Sequence, residues 1–436
     1  MKLTGDPMKM IVAHPAQQHS YRLAAALKKA GFLDKYMTTV YNKKHSLTAL
    51  AALFLRGTFH AKAKGRRCPD LSDDDVVQFC EMEGLLKLLA LNTGLLKPWY
   101  RKIKYHTADR FAVRAANEAI RAKADAVITY DDTSPLLFEI LEKKAPKVVR
   151  ILDMSAANTL YMRRIYESDL LRMPAFGERL RKERAVCWDP VTEERTGREL
   201  AAAEYFMVPS DFVARSLIYS GISRDRIFLC PYGVDTETFS LKSYDDLKPG
   251  SRPIEFVYVG GVKELKGIAY LLEAFMSIPE EEAHLTVIGH YDPADQDTMP
   301  YAGRVRFTGT LLHSEIPKAL KAGDVFVMPS LGEGMSLSVI EAAACGLPVI
   351  ATQNSGVESL ITDGENGFII PIQSVDALRD KILYFVQHPD RIRDMGMKAG
   401  EAAQSCSWDK YTENVTRVIG EIMADDVKKR ERGRKR

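Results

Sequence analysis

Paired cysteines are missing from this sequence. Its six cysteines, Cys68, Cys80, Cys187, Cys230, Cys345 and Cys406, lie scattered, with no Cys-x-x-Cys and no histidine at metal-partner spacing. That argues against a disulfide framework or a zinc ribbon and leaves small buried apolar residues in a reducing compartment. Long apolar runs are missing too: none reaches the ~18 residues that span a bilayer. The opening MKLTGDPMKM offers no apolar signal core, so a cytoplasmic protein is expected. Charge of one sign is not in excess, for the net value is only +3 and by itself names no partner. There is no Walker loop, no Gly-x-Gly-x-x-Gly and no Ser–His–Asp order.

What is present is a globular composition, 46% hydrophobic and 27% charged over 436 residues. This is too long for one ordinary core, and two or three domains are expected. Short Val/Ile-rich runs alternate with amphipathic stretches almost from end to end. Residues 8–13, 126–130, 147–152 and 205–208 read as strands, and 21–30 as a helix closed by Gly31. After Pro231-Tyr232-Gly233 and a polar stretch, 241–253, the pattern restarts with strands at 254–260, 284–289, 305–309, 324–329 and 347–352. The alternation predicts an α/β protein with two doubly wound parallel sheets, one per half. Ligands of such sheets sit beyond the C-terminal strand ends, so two facing sheets share one cleft. The expected division is 1–232, 233–404, a helix over 405–425 crossing back onto the first domain, and a basic disordered tail over 426–436.

Residues 46–104 interrupt the alternation and read as a helical insertion. It carries Lys62, Lys64, Arg66 and Arg67, the acidic turn Asp73–Asp75, and then Lys97, Arg101, Lys102 and Lys104. Two readings stay open: solvated charges on ordinary helices, or a basic amphipathic surface for anionic lipid or an acidic acceptor. The tail after Lys428 is nearly all basic and most simply solvates; no nucleic-acid partner is expected.

The densest signal runs from Pro329 to Ala342, Pro-Ser-Leu-Gly-Glu-Gly-Met-Ser-Leu-Ser-Val-Ile-Glu-Ala. A buried strand ends at Pro329, a turn flanked by Gly332 and Gly334 follows, and a helix runs on to Cys345-Gly346. Glycine lets backbone approach a ligand closely. The N–H groups of Met335, Ser336 and Leu337, at a helix start, are expected to point at an anion such as a diphosphate. Glu333 and Glu341 stand eight positions apart, about 12 Å along a helix. Carboxylates so placed cannot share a proton but can accept from hydroxyls at the two ends of an extended ligand. Asp295-Gln296-Asp297 has an Asp-x-Asp form, yet no buried strand precedes it to aim it, and no divalent metal is expected there.

Glu333-x7-Glu341 followed by Ala-Ala-Ala-Cys-Gly-Leu-Pro-Val-Ile-Ala resembles glycosyltransferase family 4, the group 1 glycosyltransferases, which are retaining enzymes of the GT-B fold. The likeness runs in register from about Glu183 to Trp408, through Val208-Pro209-Ser210, Pro231 to Asp235, Lys266-Gly267, Phe307-Thr308-Gly309 and Gly364-x-x-Gly367-Phe368. Residues before Glu183 match only in layout. The resemblance implies two Rossmann-like domains facing a central cleft, and transfer of a hexose from a UDP- or GDP-linked donor to a glycan or lipid-linked glycan of the cell envelope. It implies no cofactor and no metal. Glu333 would bind the transferred sugar, helped by the backbone of Gly334, Met335, Ser336 and Leu337; Glu341 would hold the ribose. Lys266 would meet the diphosphate, where charge builds as the bond breaks, a contact worth roughly 3 kcal/mol in a dry site.

The family usually has an Arg directly after the position of Gly260; here Gly261 stands there, and Lys263 is the nearest replacement. Leu311 matches a position that packs on the base. On the acceptor side, His14 and His19 follow the first strand, and Asp131-Asp132 and Asp153 follow later ones. Relatives often place a sugar-contacting His near Asp153; this chain has none there, and Asp153 would take its place, with His14 a further catalytic candidate or a packing residue. A peripheral contact with anionic membrane at its inner face follows from the basic readings. Two other readings remain: a nucleotide-sugar epimerase on the same fold, and a donor-binding module without catalysis.

Overall fold

The computed structural model describes residues 8–17, 19–54, 60, 63–92, 96–244 and 252–434. Two all-parallel sheets form, as the alternation predicts. The first has the order β3-β2-β1-β4-β5-β6-β7, built from β1 Met10–Ala13, β2 Leu33–Thr38, β3 Val76–Gln78, β4 Ala126–Tyr130, β5 Val149–Asp153, β6 Tyr205–Val208 and β7 Ile227–Leu229. The second has the order β10-β9-β8-β11-β12-β13: β8 Ile254–Val259, β9 Ala283–Ile288, β10 Arg306–Gly309, β11 Val325–Met328, β12 Val349–Thr352 and β13 Gly367–Ile370. The central strands β1, β4, β5, β11 and β12 are buried along their whole length, as strands covered by helices on both faces must be. In each sheet the order of strand addition reverses beside the first strand, between β1 and β4 and between β8 and β11, and there the loops at the strand ends diverge and leave room for ligands.

The expected insertion is less of an interruption than its sequence suggests. Within 46–104 lies β3, which pairs with β2 and completes the sheet edge; helices Leu47–Phe54 and Glu81–Asn92 flank it. Lys62 lies outside the described residues, as does most of the polar stretch 241–253.

The tail expectation is corrected. The last helix starts at Trp408 and continues to Arg434. Its basic end is held by i,i+4 ion pairs, Lys429 to Asp425 at 2.9 Å and Arg430 to Asp426 at 2.7 Å, and Arg430 also donates to the Lys147 carbonyl. Such pairs add a few tenths of a kcal/mol each; docking on the first domain does the rest. The helix packs back onto the first domain. Arg22 lies over the Trp408 ring at 4.5 Å, and the Tyr205 hydroxyl donates to Asp425 at 2.8 Å. The two chain crossings between domains run side by side, Val234 bridging to Ser407. A Cβ on Gly233 would stand 2.7 Å from the Ser407 backbone, so only glycine fits there.

Candidate active site

The C-terminal end of β11 leads into Pro329 and the glycine turn, and the loop after β8 leads to a short turn, Glu264–Lys266. Gly267 brings the two together: its φ is +69°, and a Cβ there would sit 1.9 Å from the Pro329 carbonyl oxygen. The Leu331 N–H donates to the Leu265 carbonyl at 2.9 Å. Lys266 Nζ consequently meets Glu333 Oε1 at 2.5 Å, and Ser330 Oγ donates to the same oxygen at 2.8 Å. Lys263 is exposed, and its Cε lies 3.6 Å from where a Gly261 Cβ would be. Its side chain thus runs alongside the Gly261 backbone. The Tyr258 hydroxyl donates to the Gly261 carbonyl at 2.9 Å and fixes the Gly260–Gly261 loop.

Helix Leu337–Ala344 follows the turn. One expected anion donor is already used: Ser336 N–H donates to the Ser355 carbonyl at 3.0 Å. Among the described residues, the N–H groups of Met335 and Leu337 have no protein acceptor. Glu341 projects from the helix toward His313, 3.2 Å from its Nε2; burial raises its carboxyl above the usual range and His313 opposes this. Leu311 is half-buried against the core two residues before His313.

The first domain closes directly on the turn. Ser210 Oγ donates to the Gly334 carbonyl at 2.6 Å, and a Cβ on Gly334 would stand 1.8 Å from the Ser155 carbonyl oxygen. Met335 Sδ accepts from the Tyr232 N–H. Beside the turn Lys266 belongs to, a second group of contacts joins the domains. Arg179 bonds Asp295 and the Val262 carbonyl, and Glu183 accepts from the Glu264 N–H at 3.0 Å. Glu264 is 1% exposed, and burial pushes its carboxyl up to about 9 despite Arg179 nearby. Asp295, the first residue of the Asp-x-Asp, is thus engaged in an ion pair. The described residues contain no group of three or more His, Cys, Asp or Glu able to hold a metal ion.

Facing the glycine turn is a polar floor at the ends of β1, β4 and β5. His19 Nε2 lies 3.2 Å from Asp153 Oδ2 and 3.1 Å from the Tyr232 hydroxyl. Asp131 accepts from Ser155 Oγ at 2.8 Å and from its N–H; burial raises the Asp131 carboxyl, the Ser155 bonds opposing. His14 is buried and stacks on Tyr130 at 4.8 Å between centroids. Of the two histidines, then, His14 packs and His19 is the one beside Asp153. Sequence reasoning noticed His19 but did not choose it, and it missed Tyr232 and Ser155.

Residues 253–388 match the family model described as glycosyl transferases group 1. Among curated relatives, the D-inositol 3-phosphate glycosyltransferase of Paenarthrobacter aurescens is 30% identical over 209 residues, 44% of this chain and 50% of the relative. The sulfoquinovosyl transferase SQD2 of Arabidopsis thaliana is 28% identical over 49% of this chain and 44% of its own length. The chain spans about half the length of these relatives. Among solved structures, sucrose-phosphate synthase from Thermosynechococcus elongatus superposes with a TM-score of 0.65 at 20% identity, covering 96% of this chain and 100% of that one. Anabaena Alr3699/HepE in complex with UDP superposes with a TM-score of 0.60 at 14% identity, over 95% and 100%. The C-terminal domain, with its glycine turn and paired Lys266 and Glu333, belongs to the group 1 glycosyltransferases, and the chain that carries it has the GT-B fold.

Proposed function

We propose that this protein transfers a hexose from a UDP- or GDP-linked donor to a glycan or lipid-linked glycan of the cell envelope, with retention and without a metal ion. The observation that carries the reading is the Lys266–Glu333 pair, 2.5 Å apart, at the start of helix Leu337–Ala344. With donor present, Glu333 turns to the sugar hydroxyls and Lys266 to the diphosphate, with Lys263 beside it. The Met335 and Leu337 N–H groups supply further donors, and Glu341 takes the ribose hydroxyls. The bond from the anomeric carbon to the phosphate oxygen breaks and a bond to the acceptor oxygen forms on the same face. The acceptor's proton passes to the departing diphosphate, whose growing charge Lys266 stabilises. His19, held by Asp153, supplies from the β1 side the imidazole that relatives often place near Asp153, and hydrogen-bonds the sugar. HepE, which shares the fold, is solved with UDP, and a uridine nucleotide is therefore the first donor to try.

Incubating the protein with a panel of UDP- and GDP-sugars tests this. Slow donor hydrolysis is the expected result, with the free sugar released in the donor's anomeric configuration. Interconverted donor isomers in the NMR spectrum would instead mark an epimerase, and inertness toward every donor would leave a binding module.

The same reading sets the enzyme at the inner face of a membrane. No helix among the described residues is long and apolar enough to cross one. Yet helices Leu47–Phe54 and Glu81–Asn92 leave Leu50, Leu53, Met82 and Leu86 in solvent, Leu53 at 76% and Met82 at 70% exposure. Trp99 is 58% exposed with Lys102 over its ring, and Lys97 and Arg101 flank it. Apolar helix faces rimmed by cations fit an anionic bilayer surface. Co-sedimentation with vesicles rich in phosphatidylglycerol, weakening as salt rises, is expected; equal behaviour with neutral vesicles would remove the membrane from the account.

A further inference from the structure

Helix Gly177–Glu183 belongs to the first domain, and Arg179 and Glu183 stand four positions apart on it, so their side chains leave one face together. That face meets the second domain at the loop after β8, just before Lys266. Arg179 donates to the Val262 carbonyl and to Asp295, which lies beyond β9. Its Nε lies 3.2 Å from Glu183 Oε1 and 3.7 Å from Glu264 Oε1. The other oxygen of Glu183, Oε2, accepts from the Glu264 N–H at 3.0 Å. One carboxylate therefore ties the arginine to the loop. Both side chains are largely shielded, so solvent and salt weaken these charge-assisted bonds little.

The loop's own domain holds it at other points. The Val262 N–H donates to the His290 carbonyl at 3.0 Å, and the Leu265 carbonyl accepts from the Leu331 N–H and from Ser330 Oγ at 3.1 Å. Between these points the Val262 carbonyl and the Glu264 N–H are taken by side chains of the first domain. The Glu264 N–H opens the short turn Glu264–Lys266, whose own bonds run from Lys266 N–H to the Lys263 carbonyl and from Gly267 N–H to the Glu264 carbonyl. A turn this short has poor hydrogen-bond geometry and depends on its surroundings. A lysine on a long flexible stem is placed only as well as the backbone beneath it, and small misplacements are costly in rate.

We propose that Glu183 and Arg179 are positioning residues for the reaction: by gripping the backbone of Val262 and Glu264 from the first domain, they set the turn that carries Lys266. This rests on the reading above, in which Lys266 meets the donor diphosphate. Parting of the domains would withdraw helix Gly177–Glu183 and leave both backbone groups to water. The lysine is thus held in place only while the two domains are closed, and a donor bound to an open protein is protected from premature cleavage.

The test measures donor hydrolysis or transfer by the full chain in Glu183→Ala, Glu183→Gln, Lys266→Ala and the Glu183→Ala, Lys266→Ala pair. Glu183→Ala is preferred to Arg179→Ala because it leaves Arg179 on Asp295 and Val262, whereas loss of the arginine strips the cation from a shielded group of carboxylates. Glu183→Ala is expected to lower kcat about tenfold, as loss of one charge-assisted hydrogen bond implies, with the donor KM changed less than about twofold. Glu183→Gln keeps an acceptor for the Glu264 N–H and should recover most of the rate. In the Lys266→Ala background the same Glu183→Ala change should cost less than about twofold, because the two residues act along one path. A further drop of about tenfold there would mark simple adhesion between domains and overturn the positioning role. An undiminished kcat in Glu183→Ala, or equal loss in Glu183→Gln, would overturn it as well. Hydrogen–deuterium exchange of peptides over residues 260–267 needs no turnover: exchange faster in Glu183→Ala than in wild type and restored in Glu183→Gln is expected, and identical exchange in all three removes the grip. If Lys266→Ala hydrolyses donors at the wild-type rate, the donor reading falls, and the exchange measurement still judges whether Glu183 holds the turn.

Discussion

Lys266→Ala is expected to lower sugar transfer about 10²- to 10³-fold, the usual consequence of removing one preorganised charge partner from a developing anion. The geometry sets the direction. Lys266 is the cation in contact with Glu333, and both are mostly shielded, at 24% and 14% side-chain exposure. Removing the ammonium takes away the group proposed to face the leaving phosphate and also leaves Glu333, among the described residues, with Ser330 as its remaining side-chain partner. A variant in which Glu333→Gln accompanies Lys266→Ala should therefore lose little more than the single change, since the two groups act as a unit. Initial rates of transfer or donor hydrolysis provide the measure. Near-normal turnover in Lys266→Ala would end the donor-site assignment.

Gly334→Ala should be severely damaging. The added methyl would lie 1.8 Å from the Ser155 carbonyl oxygen, a backbone atom of the other domain, so no rotamer change relieves it. Overpacking of this kind costs about 2–3 kcal/mol or forces the parts to separate. Separation is the softer response here, because the contact lies between domains. We expect a larger radius of gyration in small-angle scattering and turnover reduced about 30- to 150-fold, the rate equivalent of that energy, with nucleotide binding retained. Gly332→Ala is the internal control. Its methyl would meet Met162 Cε at 2.4 Å, the flexible end of a side chain that can swing aside, so its effect should be clearly smaller. Equal effects of the two changes, or an unchanged scattering profile for Gly334→Ala, would contradict this account of domain closure.

The C-terminal half was legible because its information is local. Strands such as Val325–Met328 and Val349–Thr352 are unbroken apolar runs, and the turn that carries Glu333 sits between them in sequence. In the first half, β2 reads Leu-Asp-Lys-Tyr-Met-Thr, polar at its start because residues 33–35 are only half-buried. β3 and β7 are three residues each, too short for any periodicity to show. The choice between His14 and His19 depended on where the chain turns after β1. His14 is drawn under Tyr130, whereas His19 emerges at the start of the next helix beside Asp153. The contacts of Gly334 with Ser155 and Ser210 join residues more than a hundred positions apart, and no local pattern announces them. The helical tail was readable in retrospect: Asp425 and Asp426 precede Lys429 and Arg430 by four residues, the spacing of paired charges on one helical face.

The helix that begins at Trp408 packs against β7, Arg22 and Tyr205, yet it is translated after the entire second sheet. On the ribosome the earlier domain must wait, with the seat of Tyr411, Val415 and Ile419 uncovered, while the later one is made and can complete its own core first. A released chain that ends before residue 408 should therefore hold a finished C-terminal domain and an N-terminal domain that still attracts chaperones.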